Sequence, residues 1–314
     1  MSRFIIMRRL KSFINRATNK VFLKTDWYRN FFWNGTTKFW TISSCDYEII
    51  NLGSNSGVFS FNYEGLPIKG FNMAIGPQSL VHDFNILKNY FSYLKSGGIV
   101  LITLCPFSCL FSPYSKESNF KYYPILHPAT IIDFDDTERT RAYKIKQAPF
   151  LEMPGYCIKM TIKEVLRKII SKFKLRSQFN YQVNAEMWLQ LWKKQFNIKN
   201  LDASLQEHHT EQQKNRAETL REMISFCEER KLRPYIVLPP VHASLSSRLS
   251  SVFLKSYVYD FIDKAIDNKS ILLDYFNDTS FQKDDFFQNS YFMNKNGASK
   301  FTKRVLTDLG LIKC

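Results

Sequence analysis

The chain has 314 residues, of which 45% are hydrophobic and 23% are charged, and this composition excludes an intrinsically disordered protein. Its 44 lysines and arginines and 28 acidic residues give a formal net charge of +16. The six cysteines form no CxxC pair, and neither a signal peptide nor a transmembrane run is visible. We therefore expect a cytoplasmic protein that folds without disulfides, a metal or a cofactor.

The N-terminal residues 1–45 are predicted to form a basic, helical segment. Eight lysines and arginines lie within residues 1–30, and Asp26 is the single acidic residue there. No zinc finger, recognition helix or RNP-type motif accompanies this charge, and net charge alone is weak evidence for nucleic-acid binding. The sequence therefore predicts no specific nucleic-acid partner.

The first half of the main domain predicts a β-loop-β-α-β arrangement. Residues 46–53, 68–75 and 99–104 are largely apolar, and the first two end at glycine, which is typical of buried strands. Residues 78–95 carry apolar side chains at helical spacing and are followed by Ser96-Gly97-Gly98. This order predicts a central, mainly parallel sheet with right-handed crossovers.

A long interruption, residues 110–230, follows the third predicted strand. Its first part is predicted to be irregular, and its second part, from 161 onward, to be helical. The later elements are a strand at 234–238, a helix at 245–268, a strand at 271–276 and a helix at 296–309. We expect one α/β domain over 46–314 that the interruption divides, either as a lid or as a separate small domain.

Residues 161–176 predict an amphipathic helix. Six basic residues accompany Glu164, and apolar side chains recur at helical spacing on the other face. In the commoner interpretation, the apolar face packs on the core and the basic face is solvated. In the alternative, the helix lies on anionic lipid or binds another polyanion.

Short motifs follow the predicted strands in a recognisable order. Gly53-Ser54-Asn55 follows the first strand, Asn72 and Gly76 lie at the end of the second, and an Asn-x-x-Gly-Ala motif occupies 294–298. In this order the motifs resemble the SGNH (GDSL) hydrolase superfamily, in particular its divergent branch among bacterial capsule, O-antigen and exopolysaccharide biosynthesis proteins. The resemblance covers residues of about 46–108 and 232–310.

The resemblance implies a three-layer αβα sandwich, which is also the flavodoxin-like arrangement, with a serine nucleophile after the first strand. It further implies an oxyanion hole from Gly76 and Asn72, and an Asp-x-x-His pair near the C-terminus. In this chain the nucleophile position is Asn55, and the Asp and His positions are Asn289 and Phe292. Since neither Asn55 nor Phe292 can do the required chemistry, the standard Ser-His-Asp triad is not matched.

A displaced catalytic site is the alternative. Ser54 or Ser56 could act as the nucleophile, with His242 after strand 234–238 as the base, because the carboxyl ends of parallel strands share one edge. The competing interpretation is that the serines belong to a turn and that His242 caps a helix. The candidate oxyanion or substrate-binding residues are Asn55, Ser56, Asn72, Gly76, Ser108, Asn289 and Asn294.

Three functional hypotheses follow. The first is a carbohydrate-binding or assembly protein of surface-polysaccharide biosynthesis, a context that comes from the resemblance, with a carbohydrate or glycolipid intermediate as its partner. The second is a carbohydrate O-acyl esterase or O-acetyltransferase that uses a shifted serine and His242. The third is a peripheral protein at the inner face of the membrane, held on anionic lipid by residues 1–30 and 161–176.

Tyrosines of the interruption are candidates for stacking on sugar rings, because a tyrosine combines an apolar face with a polar tip. The competing interpretation is that they fill the core. The candidates are Tyr114, Tyr122, Tyr123 and Tyr156.

Overall fold

The computed structural model describes residues 2–110, 116–173, 179–203, 205–268 and 271–313. The chain divides into two compact units, each built from two separate stretches of sequence. Unit 1 comprises Met1–Ser43 and Tyr114–Ser177, and unit 2 comprises Ser44–Pro113 and Gln178–Cys314. The N-terminal segment and the first part of the predicted interruption therefore fold together, whereas residues 178–230 belong to the unit that holds the sheet.

Unit 2 contains a five-stranded sheet in which every neighbouring pair is parallel. The strands lie in the order β2-β1-β3-β4-β5. Their bounds are β1 Tyr47–Gly53, β2 Gly70–Asn72, β3 Leu94–Thr103, β4 Arg233–Leu238 and β5 Leu272–Asp274. The predicted α/β class and the predicted parallel sheet are both confirmed.

The central strands form because both of their faces are buried. Ile49, Leu101 and Val237 belong to one core cluster, together with Phe301. Their neighbours along the strands are also fully buried and point to the opposite face, since side chains alternate along a strand. Continuous apolar strands of this kind are typical of parallel sheets.

The helices of unit 2 lie between successive strands, except the last helix, which follows the last strand. They are α2 Asn55–Ser60, α3 Leu80–Tyr90, α7 Tyr181–Phe196, α8 Glu207–Glu229, α9 Ala243–Ser246, α10 Ser251–Phe253, α11 Asp260–Ala265 and α12 Lys295–Asp308. Three predictions differ from the structure. The helix expected at 78–95 ends at Tyr90, and β3 begins at Leu94, so Ser96-Gly97-Gly98 lies within the strand. The helix expected at 245–268 is divided into α9, α10, a π-helix at Leu254–Tyr259 and α11, and the strand expected at 68–75 is reduced to Gly70–Asn72.

Unit 1 is mostly helical. Its α-helices are α1 Ser2–Phe22, α4 Asp136–Gln147, α5 Pro149–Glu152 and α6 Pro154–Phe173, and a π-helix spans Trp27–Phe32. Short 3₁₀-helices occupy Thr36–Thr41, Lys116–Lys121 and Pro128–Thr130. The stretch predicted to be irregular, 110–160, is therefore largely helical where the structure describes it.

The core of unit 1 is aromatic. Trp27, Tyr28 and Trp33 are almost completely buried, and the Tyr28 ring lies 5.4 Å from the Trp27 ring and 6.2 Å from the Trp33 ring. Unit 1 therefore has an aromatic core of its own, although its two stretches of sequence are about a hundred residues apart.

The interpretation of α6 as a helix with a buried apolar face is wrong. Cys157 and Glu164 are its buried residues, whereas Ile162 and Leu166 are more than half exposed. In the part of the chain that the structure describes, no helix combines the length and apolar character needed to cross a bilayer.

Candidate functional site

The carboxyl edge of the sheet brings together several of the predicted residues. Ser54, Ser56 and Ser108 line one narrow cavity of about 10 Å³ between the ends of β1 and β3. A second cavity of about 10 Å³ shares Ser56 and reaches the end of β4. Each cavity has room for about one water molecule, so neither accommodates a sugar ring in this conformation.

The two candidate nucleophiles have partners that do not activate them. The Ser54 hydroxyl accepts a hydrogen bond from the Gln78 backbone N–H at 3.2 Å. The Ser56 hydroxyl lies 2.7 Å from the Tyr291 hydroxyl. Burial raises the pKa of Tyr291 well above its usual value, so this phenol stays protonated and cannot remove a proton from Ser56 at neutral pH.

His242 caps a helix instead of serving either serine. Its Nδ1 atom accepts a hydrogen bond from the Ser244 backbone N–H at 3.1 Å at the start of α9. Its Nε2 atom lies 2.9 Å from Asp284 Oδ1. Both ring nitrogens are therefore occupied, and the structure does not bring His242 into a hydrogen bond with Ser54 or Ser56.

Ser244, His242 and Asp284 have the residue types of a catalytic triad but not its geometry. The Ser244 hydroxyl lies 2.8 Å from His242 Nδ1, and Ser244 is only 2% exposed. The Tyr181 carbonyl oxygen lies 3.1 Å from the same hydroxyl, so the single proton of this hydroxyl faces two acceptors. A nucleophile must face its substrate, so these three residues form a capping network at the start of α9.

Asn55 and Gly76 lie against each other at the end of β1. A Cβ atom at position 76 would clash with the Asn55 side-chain oxygen. A side chain at position 76 would therefore force the Asn55 amide to move. The residue at the predicted nucleophile position, Asn55, packs on the predicted oxyanion glycine.

Asn72 has a different role from the predicted one. Its Nδ2 atom donates to the carbonyl oxygens of Gly57, Val58 and Phe61 at 3.0 to 3.2 Å. Its Oδ1 atom accepts from Asn51 Nδ2 at 3.0 Å. The amide therefore holds the backbone around α2 in place and does not present a free donor for an oxyanion.

The other predicted binding residues also hold turns. The Ser108 hydroxyl accepts from the Cys105 N–H at 2.8 Å. Asn289 Oδ1 accepts from the backbone N–H groups of Tyr291 and Phe292 at 2.9 and 2.7 Å. Asn294 caps α12 by accepting from the Gly297 N–H at 3.0 Å. These polar side chains accept hydrogen bonds from backbone N–H groups, which is a common role of serine and asparagine in turns and at helix starts.

Phe292 packs where the resemblance places a histidine. Its ring lies 4.7 Å from the Phe59 ring and 5.4 Å from the Trp188 ring. This position therefore contributes an apolar contact.

Asp83 is a residue of this edge that the sequence analysis missed. It is 2% exposed, accepts a hydrogen bond from the Gly53 N–H at 2.8 Å, and is also bonded to the Gln78 side-chain amide. One signal in the sequence could have identified it: Asp83 is an acidic residue beside Leu80, Phe84 and Leu87 in the helix predicted at 78–95. Asp83 fixes the turn that presents Ser54 and Asn55.

A cavity of about 570 Å³ lies in unit 1. Tyr123, one of the tyrosines predicted to stack on sugars, lines it. We call it the unit 1 cavity. Its lining residues are Phe32, Phe120, Tyr123, Asp135, Glu138, Arg141, Ile145, Glu152 and Met153.

The aromatic wall of the unit 1 cavity is held by ring contacts. The Phe32 and Phe120 rings lie 5.7 Å apart, and Phe120 stacks on Trp33 at 5.3 Å. The Tyr123 hydroxyl accepts from the Asp135 backbone N–H at 3.2 Å, which anchors the wall to the start of α4. The wall is therefore supported by the core of unit 1.

The polar side of the unit 1 cavity comes from α4 and α5. The Arg141 guanidinium pairs with Glu138 at 3.3 Å and lies 5.7 Å from the centre of the Phe120 ring. Asp135 caps α4 by accepting from the N–H groups of Thr137 and Glu138. Glu152, on α5, adds a further carboxylate. Charged hydrogen-bonding groups thus face an aromatic wall.

Two of the four predicted tyrosines, Tyr122 and Tyr123, are almost completely buried, so neither presents an open ring face. Tyr156 is exposed, with its ring 5.8 Å from the Trp27 ring. Tyr114 lies outside the described residues. Residues 32 and 120–153 are remote in sequence, so no local motif could have indicated the cavity.

No family model matches the chain, and a search of curated proteins gave no match either. Among the described residues, no group of three or more His, Cys, Asp or Glu side chains is arranged to hold a metal ion. The interpretation of the chain therefore depends on the geometry of the two units.

Proposed function

We propose that this protein binds a carbohydrate, or the sugar part of a glycolipid intermediate, in the unit 1 cavity. The observation that carries the proposal is the cavity of about 570 Å³ in which an aromatic wall faces carboxylates and a guanidinium. Small-molecule sites generally enclose about 300–1,000 Å³ and combine apolar walls with a few polar groups.

The lining chemistry suits a sugar. The C–H groups on one side of a pyranose ring pack on aromatic rings such as Phe32 and Phe120, which are half-buried. Sugar hydroxyls are both donors and acceptors, so Asp135, Glu138 and Glu152 accept from them and Arg141 donates to them. The cavity therefore offers partners to both the ring face and the hydroxyl edge.

The charge of the lining indicates which sugars bind. Asp135, Glu138 and Glu152 outnumber the single cation, Arg141. Their combined field disfavours an acidic sugar and favours a neutral or amino sugar. Uronates and sugar phosphates are therefore the disfavoured classes.

Unit 2 is proposed to be an SGNH-like αβα sandwich that has lost ester hydrolysis and serves as a scaffold in surface-polysaccharide biosynthesis. The support is its all-parallel sheet together with Asn55, Asn289 and Phe292 at the three triad positions that the resemblance assigns. The hydrogen bonds of His242 to Ser244 and Asp284 support the loss of activity.

The test is ligand-observed saturation-transfer NMR of the full chain with glucose, N-acetylglucosamine, glucosamine and glucuronate. We expect saturation of at least one neutral or amino sugar and weaker saturation of glucuronate. Absence of saturation for every sugar, or a preference for glucuronate, would contradict the proposal.

A further inference from the structure

Helix α6 turns its apolar side chains toward solvent. Ile158, Ile162, Val165, Leu166 and Ile169 recur at helical spacing on one side and are 47% to 54% exposed. Soluble proteins rarely leave a continuous apolar stripe of this kind uncovered. We call this set of side chains the α6 stripe.

The rotation of α6 is fixed by polar contacts on its opposite side. The Glu164 carboxylate accepts from the Trp27 backbone N–H at 2.8 Å, and Thr161 accepts from the Trp27 indole N–H at 3.1 Å. Glu164 is 7% exposed, and Lys168 pairs with it at 2.6 Å. Turning the α6 stripe inward would break these bonds, so its exposure is a property of the fold.

Cations border the α6 stripe. Lys159, Lys163 and Arg167 follow one another at intervals of four residues on one border, and all are exposed. Beside them a groove of about 350 Å³ is lined by Trp27, Phe31 and Met160 together with Lys163 and Arg167. The Phe31 side chain is 57% exposed and lies under the Arg167 guanidinium at 5.5 Å.

Helix α1 repeats the pattern in the same unit. Ile6, Leu10 and Phe13 lie on one side of the helix and are 56% to 68% exposed. Arg16 and Lys20 are exposed along the border of this side. Two helices of unit 1 thus expose an apolar stripe beside basic residues.

We propose that the α6 stripe and its basic border dock on the surface of an anionic lipid bilayer, with α1 as a second contact. Apolar side chains of interfacial helices enter the boundary between headgroups and acyl chains, while lysines and arginines reach the phosphates. Charge complementarity selects lipid over a second copy of this chain, because pairing two copies through this face would bring basic borders together.

This docking is independent of sugar binding. None of the α6 stripe lines the unit 1 cavity, so the failure of either proposal leaves the other standing.

The experiment is co-sedimentation of the full chain with vesicles of phosphatidylcholine alone, and with vesicles that also contain phosphatidylglycerol. We expect binding to the anionic vesicles at about 0.01 M salt and a loss of at least about tenfold at about 1 M, because screening weakens headgroup attraction. Ile162→Ser with Leu166→Ser should weaken binding by about tenfold or more, since both side chains enter the bilayer.

A pair of charge-swap variants distinguishes an effect of the basic border on binding from an effect of the net charge of the chain. Lys163→Glu with Arg167→Glu should also weaken binding by about tenfold or more. Lys300→Glu with Lys303→Glu makes the same change in net charge on α12, which belongs to unit 2, and should bind like the wild type. Circular dichroism confirms that each variant is folded.

Three results would overturn the proposal. The first is no binding to anionic vesicles at low salt. The second is equal loss in the border and control charge swaps. The third is a wild-type chain that does not bind vesicles but forms a dimer in sedimentation velocity, where Ile162→Ser with Leu166→Ser abolishes the dimer. The partner of the α6 stripe would then be a second copy of the chain.

Discussion

At the scale of single residues, Asp83 is a buried carboxylate that holds the turn after β1. Replacement by alanine leaves the buried Gly53 N–H without this acceptor and removes one hydrogen bond of the Gln78 side chain. We expect Asp83→Ala to lower the free energy of unfolding by about 1–3 kcal/mol, the usual loss for an unsatisfied buried group. Urea denaturation followed by circular dichroism measures the difference.

Asp285→Ala is the matched control for Asp83→Ala. Asp285 is exposed in the same unit, and its substitution should change the free energy of unfolding by less than about 0.5 kcal/mol. Equal effects of the two substitutions would show that Asp83 does not support the turn.

The candidate catalytic residues illustrate what a sequence can and cannot predict. Their placement near the carboxyl edge follows from parallel strands, and Ser54, Ser56 and Ser108 do line one cavity there. The direction of the His242 ring depends on Ser244 and on Asp284, which lies 42 residues away. Side-chain orientation of this kind is set by tertiary contacts that no local pattern contains.

At the scale of elements, α12 begins at a cap that the Asn-x-x-Gly-Ala motif encodes. Asn294 accepts from the Gly297 N–H and donates to the Asp285 carbonyl at 2.8 Å. Asn294→Ala should lower the free energy of unfolding by about 1–2 kcal/mol because both bonds are lost. Thermal or urea denaturation provides the measurement.

Two further variants locate the effect in the cap. Asn294→Asp keeps an acceptor for the helix N–H groups and should lose less stability than Asn294→Ala. Asn296→Ala, at an exposed position in the first turn of α12, should have little effect. If Asn296→Ala were as destabilising as Asn294→Ala, the cap would not be the cause.

The elements also differ in how well their patterns predict them. β1, β4 and the apolar part of β3 are predictable because short apolar runs bounded by glycine or proline are typical of buried strands. The division of 245–268 at a π-helix is not predictable, since its apolar periodicity fits a continuous helix. For α6, periodicity predicts the helix but not its rotation, which the Glu164 contact with Trp27 sets.

At the scale of the whole molecule, buried tyrosines make stability depend on alkaline pH. Burial raises the pKa of Tyr28 to about 12 in unit 1, and it also raises the pKa values of Tyr275 and Tyr291 in unit 2. In the unfolded chain these tyrosines ionise near pH 10, so above this pH the unfolded state binds fewer protons than the folded state. Ionisation of these tyrosines should therefore lower the free energy of unfolding as the pH rises above about 10.

Tyr28→Phe measures how much of the loss of stability at alkaline pH comes from Tyr28. Tyr28 is 1% exposed, and its removal should reduce the fall in unfolding free energy between about pH 10 and 12 by about 2–3 kcal/mol. Urea denaturation at several pH values gives the slopes. A slope that Tyr28→Phe leaves unchanged, or stability that is flat up to about pH 12, would contradict the assignment.

The two units hold different structural features. Unit 2 holds the sheet and the capped turns at its carboxyl edge, whereas unit 1 holds the cavity of about 570 Å³ and the exposed apolar side chains of α1 and α6. The binding functions that we propose therefore belong to the unit formed by the N-terminal segment and the first part of the interruption.

The most direct test of sugar binding at the unit 1 cavity is calorimetric titration of the sugar that gives the strongest NMR saturation. Three forms of the full chain are compared: wild type, Arg141→Ala and Arg139→Ala. Both arginines lie on α4 and pair with a carboxylate three residues before them, but only Arg141 lines the cavity. We expect Arg141→Ala to weaken binding by about tenfold, because a charged hydrogen bond is worth about 1.5–3 kcal/mol, and Arg139→Ala to bind like the wild type. Equal affinity of all three forms would contradict the placement of the sugar in this cavity.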